Sequence, residues 1–572
     1  MSKTDLSRRS FLGLGAAAAV VAGAGLAGCS SPSNKEATAE VKSDPTTESS
    51  KSQENVSSDW LGKAPEIAEA DIIETIETEI LVIGAGTGGM FAACAAAEEG
   101  AKVVVLEKHV VGGGIRDNLG SINSRLQQAA GADAEIDKLE MLNDLMHYCA
   151  NNCNPLLYKK WMENSGEAVD WYQDRVEERG YELFYQADTL HLETRYKHWP
   201  TGHIPSWPAD AEFAGIKVEL NGHGVCNDYG ESVGVDFHYS TPMVKLVMEG
   251  EKVVGAIGES KEGYIQVNAS KGVVIATGGY ARNPEMMAAL QPQTLKKYSS
   301  NIAIPGTEGD GIKACLWAGA AMDEVHTAMC FDRVAVKPDE VGGHETNGSL
   351  FWMGSNPWLK VNLEGERFCN ESAPYDYVLN AALTQPSNTF CNIWDSDWAA
   401  YLKEFDIHGC ARVYPFDNGA PVNIPLDAIG PMNEGLIESG HIQVADTIEE
   451  LAKKLNIPAD TLKATVDRQN ENFANGSDPD FGKEKHRLSA IQTPPFYGVR
   501  TSGYMLCTLD GITINENFQA LKDDGTPIEG LYVAGVDSGS YFGHTYPNMS
   551  TGHCCGRTIT FARMIGKALA AQ

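Results

Sequence analysis

Basic residues are scarce in this sequence relative to acidic ones. The chain of 572 residues has 45 lysines and arginines against 77 aspartates and glutamates, so its formal net charge at pH 7 is −32. A surface with this charge repels nucleic acid and anionic lipid headgroups, and we expect no nucleic-acid partner. The length suggests several domains, with room for a core and a large bound cofactor.

The cysteines lack the spacing of a standard metal or haem site. The sequence has 13 cysteines, but none forms a CxxC pair or the CxxCH motif of attached haem. The nearest pairs are Cys149 with Cys153 and Cys554 with Cys555. We interpret them as free thiols, because free cysteine commonly behaves as a small buried hydrophobe. An unrecognised iron–sulfur site is the alternative.

Long hydrophobic runs are also missing after the first 28 residues. The amino-terminal run follows the paired arginines of SRRSFL and ends in LAGC at Leu26–Cys29. It resembles a twin-arginine signal with the lipobox of bacterial lipoproteins. Its modest length and charged leader favour a cleaved signal over a membrane anchor. The resemblance implies lipidation of Cys29 and export of a chain already folded around its cofactor.

The next residues have too few apolar side chains to fold. From Ser30 to about Asp59 the chain is rich in Ser, Thr, Glu, Lys and Pro. We predict a signal at 1–29, a disordered tether at 30–71, and a soluble enzyme part held by lipid on the outer face of the cytoplasmic membrane, in the periplasm or at the cell surface.

A glycine motif opens the folded part. EILVIGAGTGG at 79–89 runs from a β-branched strand into a glycine turn, and a small-residue helix and a second strand ending in Glu107 and Lys108 follow. Glycine lets the backbone approach a pyrophosphate, the helix terminus supplies N–H donors, and Glu107 can accept bonds from a ribose diol. Strand, turn, helix, strand and acid in this order predict a dinucleotide site.

Four later features favour FAD as that dinucleotide. They are a glycine-rich loop at 112–120 that can lie against a flat ring, a hairpin-like alternation at 235–257, and two strands ending in the turns at 276–279 and 534–535. In this order they resemble the flavoprotein subunit of fumarate reductase and succinate dehydrogenase, across about residues 75–570. No histidine-attachment motif is evident, so the resemblance implies noncovalent FAD.

The resemblance also implies an architecture and a set of cofactor contacts. We expect an α/β fold, α+β overall, with a Rossmann-like FAD-binding domain at 72–319 and 498–572 that is interrupted by a capping domain at 320–497. Within the cap, the pattern at 446–473 predicts a helix whose apolar side chains face inward. The expected cofactor residues are Gly84, Gly86, Gly88, Gly89, Glu107, Lys108, Gly112, Gly113, Gly114, Gly120, Ser121, Val244, Ala276, Thr277, Gly278, Gly535 and Asp537.

The substrate pocket departs from that of fumarate reductases, which hold a dicarboxylate with cationic and hydroxyl side chains. The matching positions here are Tyr375, Leu350, Phe351, Cys507 and Met549. Such a pocket lacks the charges needed to desolvate and hold two carboxylates. We therefore expect an uncharged or weakly charged substrate.

Two short motifs match another branch of the family. NESAPYD at 370–376 and GHTYPNMSTG at 543–552 resemble the 3-ketosteroid dehydrogenases and the exported reductases of enones such as cardiac glycosides. The resemblance implies that Tyr375 moves the proton, Tyr546 donates a hydrogen bond to the substrate carbonyl, and the backbone N–H of Ser550 completes the oxyanion site. That branch usually has glycine at the position of Ser550.

The chemistry explains these residue types. Hydride delivery to the β-carbon of a C=C conjugated to a carbonyl builds negative charge on the carbonyl oxygen, and each preorganised donor there contributes on the order of 3 kcal/mol. A tyrosine, with an ordinary pKa of about 10, can then protonate the α-carbon. The alternative for both tyrosines is packing. Tyr375 follows a proline and lies outside any convincing helical period.

These observations lead to three hypotheses. The first is an exported FAD-dependent reductase of a small unsaturated carbonyl compound, the terminal enzyme of an anaerobic respiratory route. It would receive electrons from a separate membrane-associated donor, a multihaem cytochrome or another flavoprotein. The second is a dehydrogenase that introduces the double bond. The third is a flavin lipoprotein that relays electrons or binds a ligand.

Overall fold

The computed structural model describes most of the chain after residue 59. The described residues are 60–113, 118–131, 135–187, 194–206, 212–213, 216–217, 223–408, 411, 413 and 424–572. The signal with Cys29, the tether as far as residue 59, and Gly114 lie outside the described residues. Within them, no helix has the length and apolarity required to cross a bilayer.

The first sheet has eight strands and carries the glycine motif. Across the sheet, the strands run Gln519–Leu521, Pro527–Val533, Tyr264–Ile275, Ile72–Ile83, Val103–Leu106 and Asp236–His238, and the hairpin of Met243–Glu249 and Lys252–Glu259 joins at Tyr264–Ile275. The inner pairs are parallel. Parallel strands are buried on both faces, which explains the continuous apolar runs in their sequences.

Small residues let two helices pack closely beside this sheet. The helix Thr87–Glu98 is built largely of glycine and alanine, and the carboxyl-terminal helix His553–Ala570 lies against it. A Cβ at Gly566 would come within 2.3 Å of the carbonyl oxygen of Ala92, so only glycine fits that crossing. The predicted order of strand, glycine turn, helix and strand is confirmed.

Gly89 has a packing role rather than a place in the cavity described below. A Cβ on Gly89 would lie 1.7 Å from the carbonyl oxygen of Gly84, and Gly84 itself has a φ of 99°. This φ lies in the left-handed region that glycine occupies at little cost. The two glycines therefore allow the helix to start directly above the end of the strand.

The second sheet has seven strands and is centred on the long strand Phe496–Thr508. Its other strands are Tyr298–Asn301, Ala328–Val336, Ser349–Leu350, Leu359–Asn362, Phe390–Trp394 and Ile442–Ala445. These strands extend beyond 320–497 at both ends, so the second sheet is wider than the cap predicted from the sequence. The exact domain boundaries stay a prediction.

Further elements surround the two sheets. A three-stranded sheet consists of Leu119–Gly120, Gly202–Ser206 and Glu182–Gln186, and a two-stranded one of Glu212–Phe213 and Ile216–Lys217. The other helices are Arg125–Ala130, Lys138–Tyr148, Pro155–Glu177, His223–Ser232, Pro284–Leu290, Asp310–Trp317, Tyr375–Ala382, Trp398–Glu404, Leu426–Glu438, Ile448–Leu455 and Ala459–Asn475. The predicted mixed α/β fold is confirmed.

Two local predictions about helices need correction. The helical pattern at 446–473 forms two helices, Ile448–Leu455 and Ala459–Asn475, because Asn456 is left-handed and Pro458 stands at the second amino terminus. Tyr375, which we expected outside helical structure, is the first residue of Tyr375–Ala382. Pro374 suits the residue before a helix, and eight residues are too few to show a clear period.

Candidate active site

A cavity of about 670 Å³ opens where the parallel strands of the first sheet end. Ile83, Leu106, Ala276 and Ala534, which end or directly follow four of these strands, all line it. Ligands of open α/β sheets bind at the carboxyl ends of the strands. Cofactor and ligand sites commonly have volumes of about 300–1,000 Å³.

Glu107 links two turns at one end of the cavity, the glycine turn that contains Ala85 and the turn that contains His109. Its carboxylate accepts the N–H of Ala85 at 2.7 Å and the N–H of His109 at 2.8 Å. Lys108 beside it donates to Asp310 at 2.7 Å and to Glu308 at 3.0 Å. Both residues line the cavity, at the place where the sequence predicts the ribose.

Asp537 fixes the turn at 277–279, which follows the strand Tyr264–Ile275. Its buried carboxylate accepts the backbone N–H groups of Thr277, Gly278 and Gly279, the last two at 3.0 and 2.9 Å. Burial raises the pKa of Asp537, and the N–H groups oppose that rise. Asp537 therefore fixes the shape of this turn. The turn lines the cavity, but Asp537 does not.

The structure brings most of the predicted cofactor residues to this cavity. Those that line it are Gly84, Gly86, Gly88, Glu107, Lys108, Gly112, Gly113, Ala276, Thr277, Gly278 and Gly535. Gly89, Gly120, Ser121, Val244 and Asp537 do not line it. Gly120 packs against the start of the carboxyl-terminal helix, where its N–H donates to the carbonyl of Gly552 at 2.8 Å.

These surroundings fit a flavin dinucleotide. A Cβ at Gly86 would already lie 3.0 Å from the carbonyl oxygen of Gly113, so a side chain there would fill the turn. Gly552 and Cys554, at the amino terminus of the last helix, also line the cavity. Helix amino termini favour negative charge.

Aromatic and apolar side chains surround the other end of the cavity. Its lining there includes Met329, Phe331, Arg333, Trp352, Tyr504, Leu506, Cys507 and Tyr546. The strands Ala328–Val336 and Phe496–Thr508 of the second sheet pair Phe331 with Tyr504 and Met329 with Cys507. Trp352 lines the cavity, whereas Phe351, Met353 and Trp358 pack into a buried cluster of the second sheet.

Tyr546 stands in this region with its hydroxyl at the amino terminus of the last helix. The hydroxyl oxygen accepts the N–H of Cys554 at 3.2 Å, and the backbone N–H of Tyr546 donates to Asp376 at 3.0 Å. Asp376 belongs to the NESAPYD motif, so the two catalytic motifs inferred from the sequence are joined directly. Their proximity in the fold was not evident from their spacing in the chain.

Ser550 lies close to Tyr546 but does not line the cavity. Its backbone N–H, the predicted oxyanion donor, donates to the carbonyl of Pro547 at 2.9 Å. Its hydroxyl is 3.1 Å from Nδ1 of His553, whose pKa burial lowers to about 3. The N–H of Ser550 is therefore engaged in a turn, and its role toward a substrate stays a prediction.

Tyr375 is buried one layer behind the cavity lining. Its side chain is 1% exposed, and its hydroxyl lies 3.5 Å from the carbonyl oxygen of His408. Its ring centre is 5.2 Å from that of Phe331 and 5.3 Å from the guanidinium of Arg333, and both of those residues line the cavity. Proton transfer by Tyr375 stays a prediction.

Arg333 is the functional candidate that the sequence analysis missed. It lines the cavity although its residue is only 5% exposed. The signal was present in the sequence, since AMCFDRVAV places a charged pair inside an otherwise apolar strand. Among the described residues, no three His, Cys, Asp or Glu side chains are grouped to hold a metal ion.

The glycine turns at the strand ends and the cavity they enclose form a dinucleotide site of the kind found in flavin-dependent oxidoreductases. The family described as FAD binding domain matches residues 79–552, and the chain belongs to that family. Its cofactor is therefore FAD.

Comparisons with known proteins narrow the class of reaction. A vinyl phenol reductase from Lactiplantibacillus plantarum is 28% identical over 505 residues, covering 86% of this chain and 95% of the relative. A probable fumarate reductase from Shewanella frigidimarina is 28% identical over 496 residues, covering 86% of this chain and 74% of the relative. The solved 3-ketosteroid-Δ4-(5α)-dehydrogenase from Rhodococcus jostii has a TM-score of 0.66 at 21% identity, covering 88% of this chain and 99% of the other.

The resemblance inferred from the motifs is thus confirmed. The chain is an FAD-dependent oxidoreductase that acts on CH–CH groups. The likeness to the ketosteroid dehydrogenase structure shows a shared fold.

The buried carboxyl of Asp376 gives a testable dependence of stability on pH. Burial raises its pKa to about 6, above the ordinary value of about 3.9. Between these values the folded protein binds more protons than the unfolded protein. The contribution of this group to stability is therefore complete below about pH 4 and is lost as the pH rises through about 6.

We predict that Asp376→Asn removes this loss. Between pH 4.5 and pH 8 the wild-type protein should lose about 2 kcal/mol more unfolding free energy than the variant, measured by urea unfolding of the holoenzyme at each pH. Burial also raises the pKa of Asp323 to about 6, but Asp323 titrates in both proteins and cancels. An identical pH dependence in the two proteins would contradict the prediction.

Proposed function

We propose that this protein is a reductase of a C=C bond conjugated to a carbonyl group. The observation that carries the proposal is the far end of the FAD cavity, where Tyr546 and Arg333 stand among the aromatic side chains of Phe331, Trp352 and Tyr504. Such a lining accommodates an unsaturated ring system and offers hydrogen-bond donors to one polar group. The vinyl phenol and fumarate reductase relatives, which are named for substrates with a C=C bond, support the same class of reaction.

Bound FAD in its reduced form supplies the hydride that adds to the β-carbon. The negative charge that then develops on the carbonyl oxygen needs donors held in place beforehand. The hydroxyl of Tyr546 suits this role, because a hydroxyl that accepts a hydrogen bond, here from Cys554, becomes a stronger donor itself. A proton at the α-carbon completes the two-electron reduction.

We assign that proton to Tyr375. The support is its place in NESAPYD and the guanidinium of Arg333 5.3 Å from its ring, since a neighbouring positive charge stabilises a phenolate. From its position behind the lining, Tyr375 would pass the proton to the substrate through Arg333 and an intervening water. The same residues would serve the reverse reaction, in which the protein acts as a dehydrogenase.

An anaerobic substrate panel tests the function. Protein reduced with viologen should be reoxidised by enones and by α,β-unsaturated acids at least 100 times faster than by their saturated counterparts. Product analysis should show two hydrogens added across the C=C bond. Oxidation of the saturated compounds, without reduction of the unsaturated ones, would establish the dehydrogenase instead. A reduced flavin that no compound reoxidises faster than a blank would identify an electron-relay or ligand-binding protein.

The role of Tyr375 is tested by Tyr375→Phe. We expect kcat to fall at least about 100-fold, the range typical of a lost general acid, with the FAD content unchanged. Tyr377→Phe is the matched control, because Tyr377 lies on the same helix and its ring contacts Tyr148 and Tyr196 rather than the cavity lining. It should change kcat less than about threefold. Full activity of Tyr375→Phe would remove Tyr375 from the mechanism.

We further propose that the protein is exported and lipid-anchored, and that a separate membrane-associated cytochrome or flavoprotein reduces it. The support is the SRRSFL and LAGC motifs of the sequence. Replacing Arg8 and Arg9 with lysine should keep the protein inside the cell, and Cys29→Ala should release it from the membrane fraction. An unchanged distribution of both variants in cell fractionation would contradict export by this route.

A further inference from the structure

We propose that Cys149 and Cys153 form a reversible redox site, in which oxidation joins the two thiols as a disulfide and loosens the neighbouring residues 540–546. Neither cysteine lines the FAD cavity, and the proposed function gives them no role. Residues 540–546 end at Tyr546. The site would therefore regulate the reductase from outside its active site.

The chain reverses sharply between the two cysteines. The helix Lys138–Tyr148 ends just before Cys149, and the N–H of Asn151 donates back to the last turn of that helix at 2.8 Å. Ala150 and Asn151 have φ values of 51° and 61°, in the left-handed region that residues with a Cβ seldom occupy. The reversal places the thiol of Cys153 within hydrogen-bond reach of that of Cys149. A disulfide requires such proximity.

The surroundings of Cys149 favour the thiolate, which is the reactive form of cysteine. The hydrogen bond from Cys153 lowers the pKa of the Cys149 thiol, and burial opposes this effect. The N–H of Gly543 acts in the same direction as Cys153. Cys149 is buried, whereas Cys153 is partly exposed. An oxidant therefore reaches Cys153 first, and Cys149 completes the bond.

The oxidation balances with a low-molecular-weight disulfide as the oxidant. The sulfur of Cys153 attacks that disulfide, which breaks its S–S bond, forms a mixed disulfide and releases one thiol. The thiolate of Cys149 then attacks the sulfur of Cys153, forms the S–S bond within the chain and releases the second thiol. The two cysteines lose two electrons and two protons in all, and these leave on the two released thiols.

Proximity alone does not make such a site, as a second pair of cysteines shows. The thiol of Cys94 lies 3.4 Å from the carbonyl oxygen of Cys226, and both residues are buried. Burial raises the pKa of Cys94 to about 12 and also raises the pKa of Cys226. These two thiols therefore stay protonated and unreactive at neutral pH, and they provide a matched control.

The turn that carries the proposed site packs directly against residues 540–546. The N–H of Asn154 donates to the carbonyl of Ser540 at 2.8 Å. The hydroxyl of Thr545 donates to the carbonyl of Tyr148, the last residue of the helix before the turn. The turn thus contacts both ends of this segment, so a change in the turn affects the segment as a whole.

Gly543 lies between these two contacts and faces the cysteines themselves. A Cβ on Gly543 would lie 2.0 Å from the carbonyl oxygen of Asn152, so the two backbones are in close contact. The N–H of Gly543 is hydrogen-bonded to the sulfur of Cys149. A disulfide sulfur has no negative charge and accepts more weakly than a thiolate, so oxidation weakens this hydrogen bond. The segment that leads to Tyr546 is then held less firmly.

Thiol mapping of the holoenzyme tests the site. Protein treated anaerobically with glutathione disulfide is alkylated, digested with trypsin and analysed by mass spectrometry. We expect the peptide that contains Cys149 and Cys153 to lose two hydrogens and to escape alkylation, and we expect dithiothreitol to restore both thiols. Cys94 and Cys226 should stay reduced throughout. Oxidation of Cys149 and Cys153 no faster than that of the control pair, or stable mixed disulfides with glutathione, would overturn the proposal.

Hydrogen exchange tests the effect on the neighbouring segment. The backbone amides of residues 540–546 should exchange at least about fivefold faster in the oxidised holoenzyme than in the reduced one. Cys153→Ser keeps a donor to Cys149 but cannot form the disulfide, so glutathione disulfide should not change its exchange. Cys153→Ala replaces this variant if it does not fold. Cys226→Ser, the matched control, should respond as the wild type does. Equal exchange in the oxidised and reduced wild type would overturn the loosening.

Turnover connects the site to the proposed function, on which this last measurement rests. With the best acceptor of the substrate panel, kcat should fall at least about fivefold on oxidation, because Tyr546 is held less firmly, and dithiothreitol should restore it. Cys153→Ser should keep its kcat. An equal fall in Cys153→Ser would assign the effect to other cysteines, such as Cys507 and Cys554 of the cavity, and would overturn the regulatory role. If no conjugated alkene is reduced, the proposed function fails, while thiol mapping and hydrogen exchange still decide whether the disulfide forms and loosens the segment.

Discussion

A hydrogen bond between two distant parts of the chain determines how the active site is built. The carboxylate of Asp376 accepts the backbone N–H of Tyr546 at 3.0 Å in a fully buried setting. Asp376 belongs to a helix that packs on the strand Ala328–Val336 of the second sheet, whereas Tyr546 lies shortly before the last helix of the FAD-binding part. The aromatic end of the cavity lies where these two parts meet, so this bond fixes the distance between Tyr546 and the second sheet.

The cofactor half of the site could be predicted because its signals are local. The glycines at 84 and 86 follow their strand directly in the chain, so the motif is visible in the sequence although the backbone that they approach belongs to Ala276 and Gly113. A continuous apolar run is likewise what a buried parallel strand requires. Even there, the sequence could not separate residues that line the cavity from those that support it. Gly89 and Asp537, both predicted as cofactor contacts, approach protein backbone and do not line the cavity, and their contact with the cofactor stays a prediction.

The substrate half was harder because its geometry depends on tertiary packing. Motif comparison drew attention to Tyr546 and Tyr375, yet nothing in the sequence shows that one lines the cavity and the other lies a layer behind it. Arg333 belongs to no motif. The orientation of its side chain depends on contacts with Trp352 and Ser355, about twenty residues away in the chain. The backbone of Ser550 illustrates the same limit, since its N–H is bonded within a turn that begins at Pro547.

The overall charge of the protein constrains how a substrate is attracted to the cavity. A formal charge of −32 repels anions in the bulk, so long-range attraction cannot concentrate a carboxylic acid near the cavity. At physiological ionic strength this repulsion is screened beyond about 8 Å. A buried guanidinium is screened much less, and it acts only on a molecule that has already entered. Affinity for a substrate would therefore arise inside the cavity, from the aromatic surface and the polar groups that line it. A polar group at the surface would act against both the screening and the acidic background, whereas groups that line the cavity, such as the hydroxyl of Tyr546, act on a substrate in an apolar setting where hydrogen bonds are stronger.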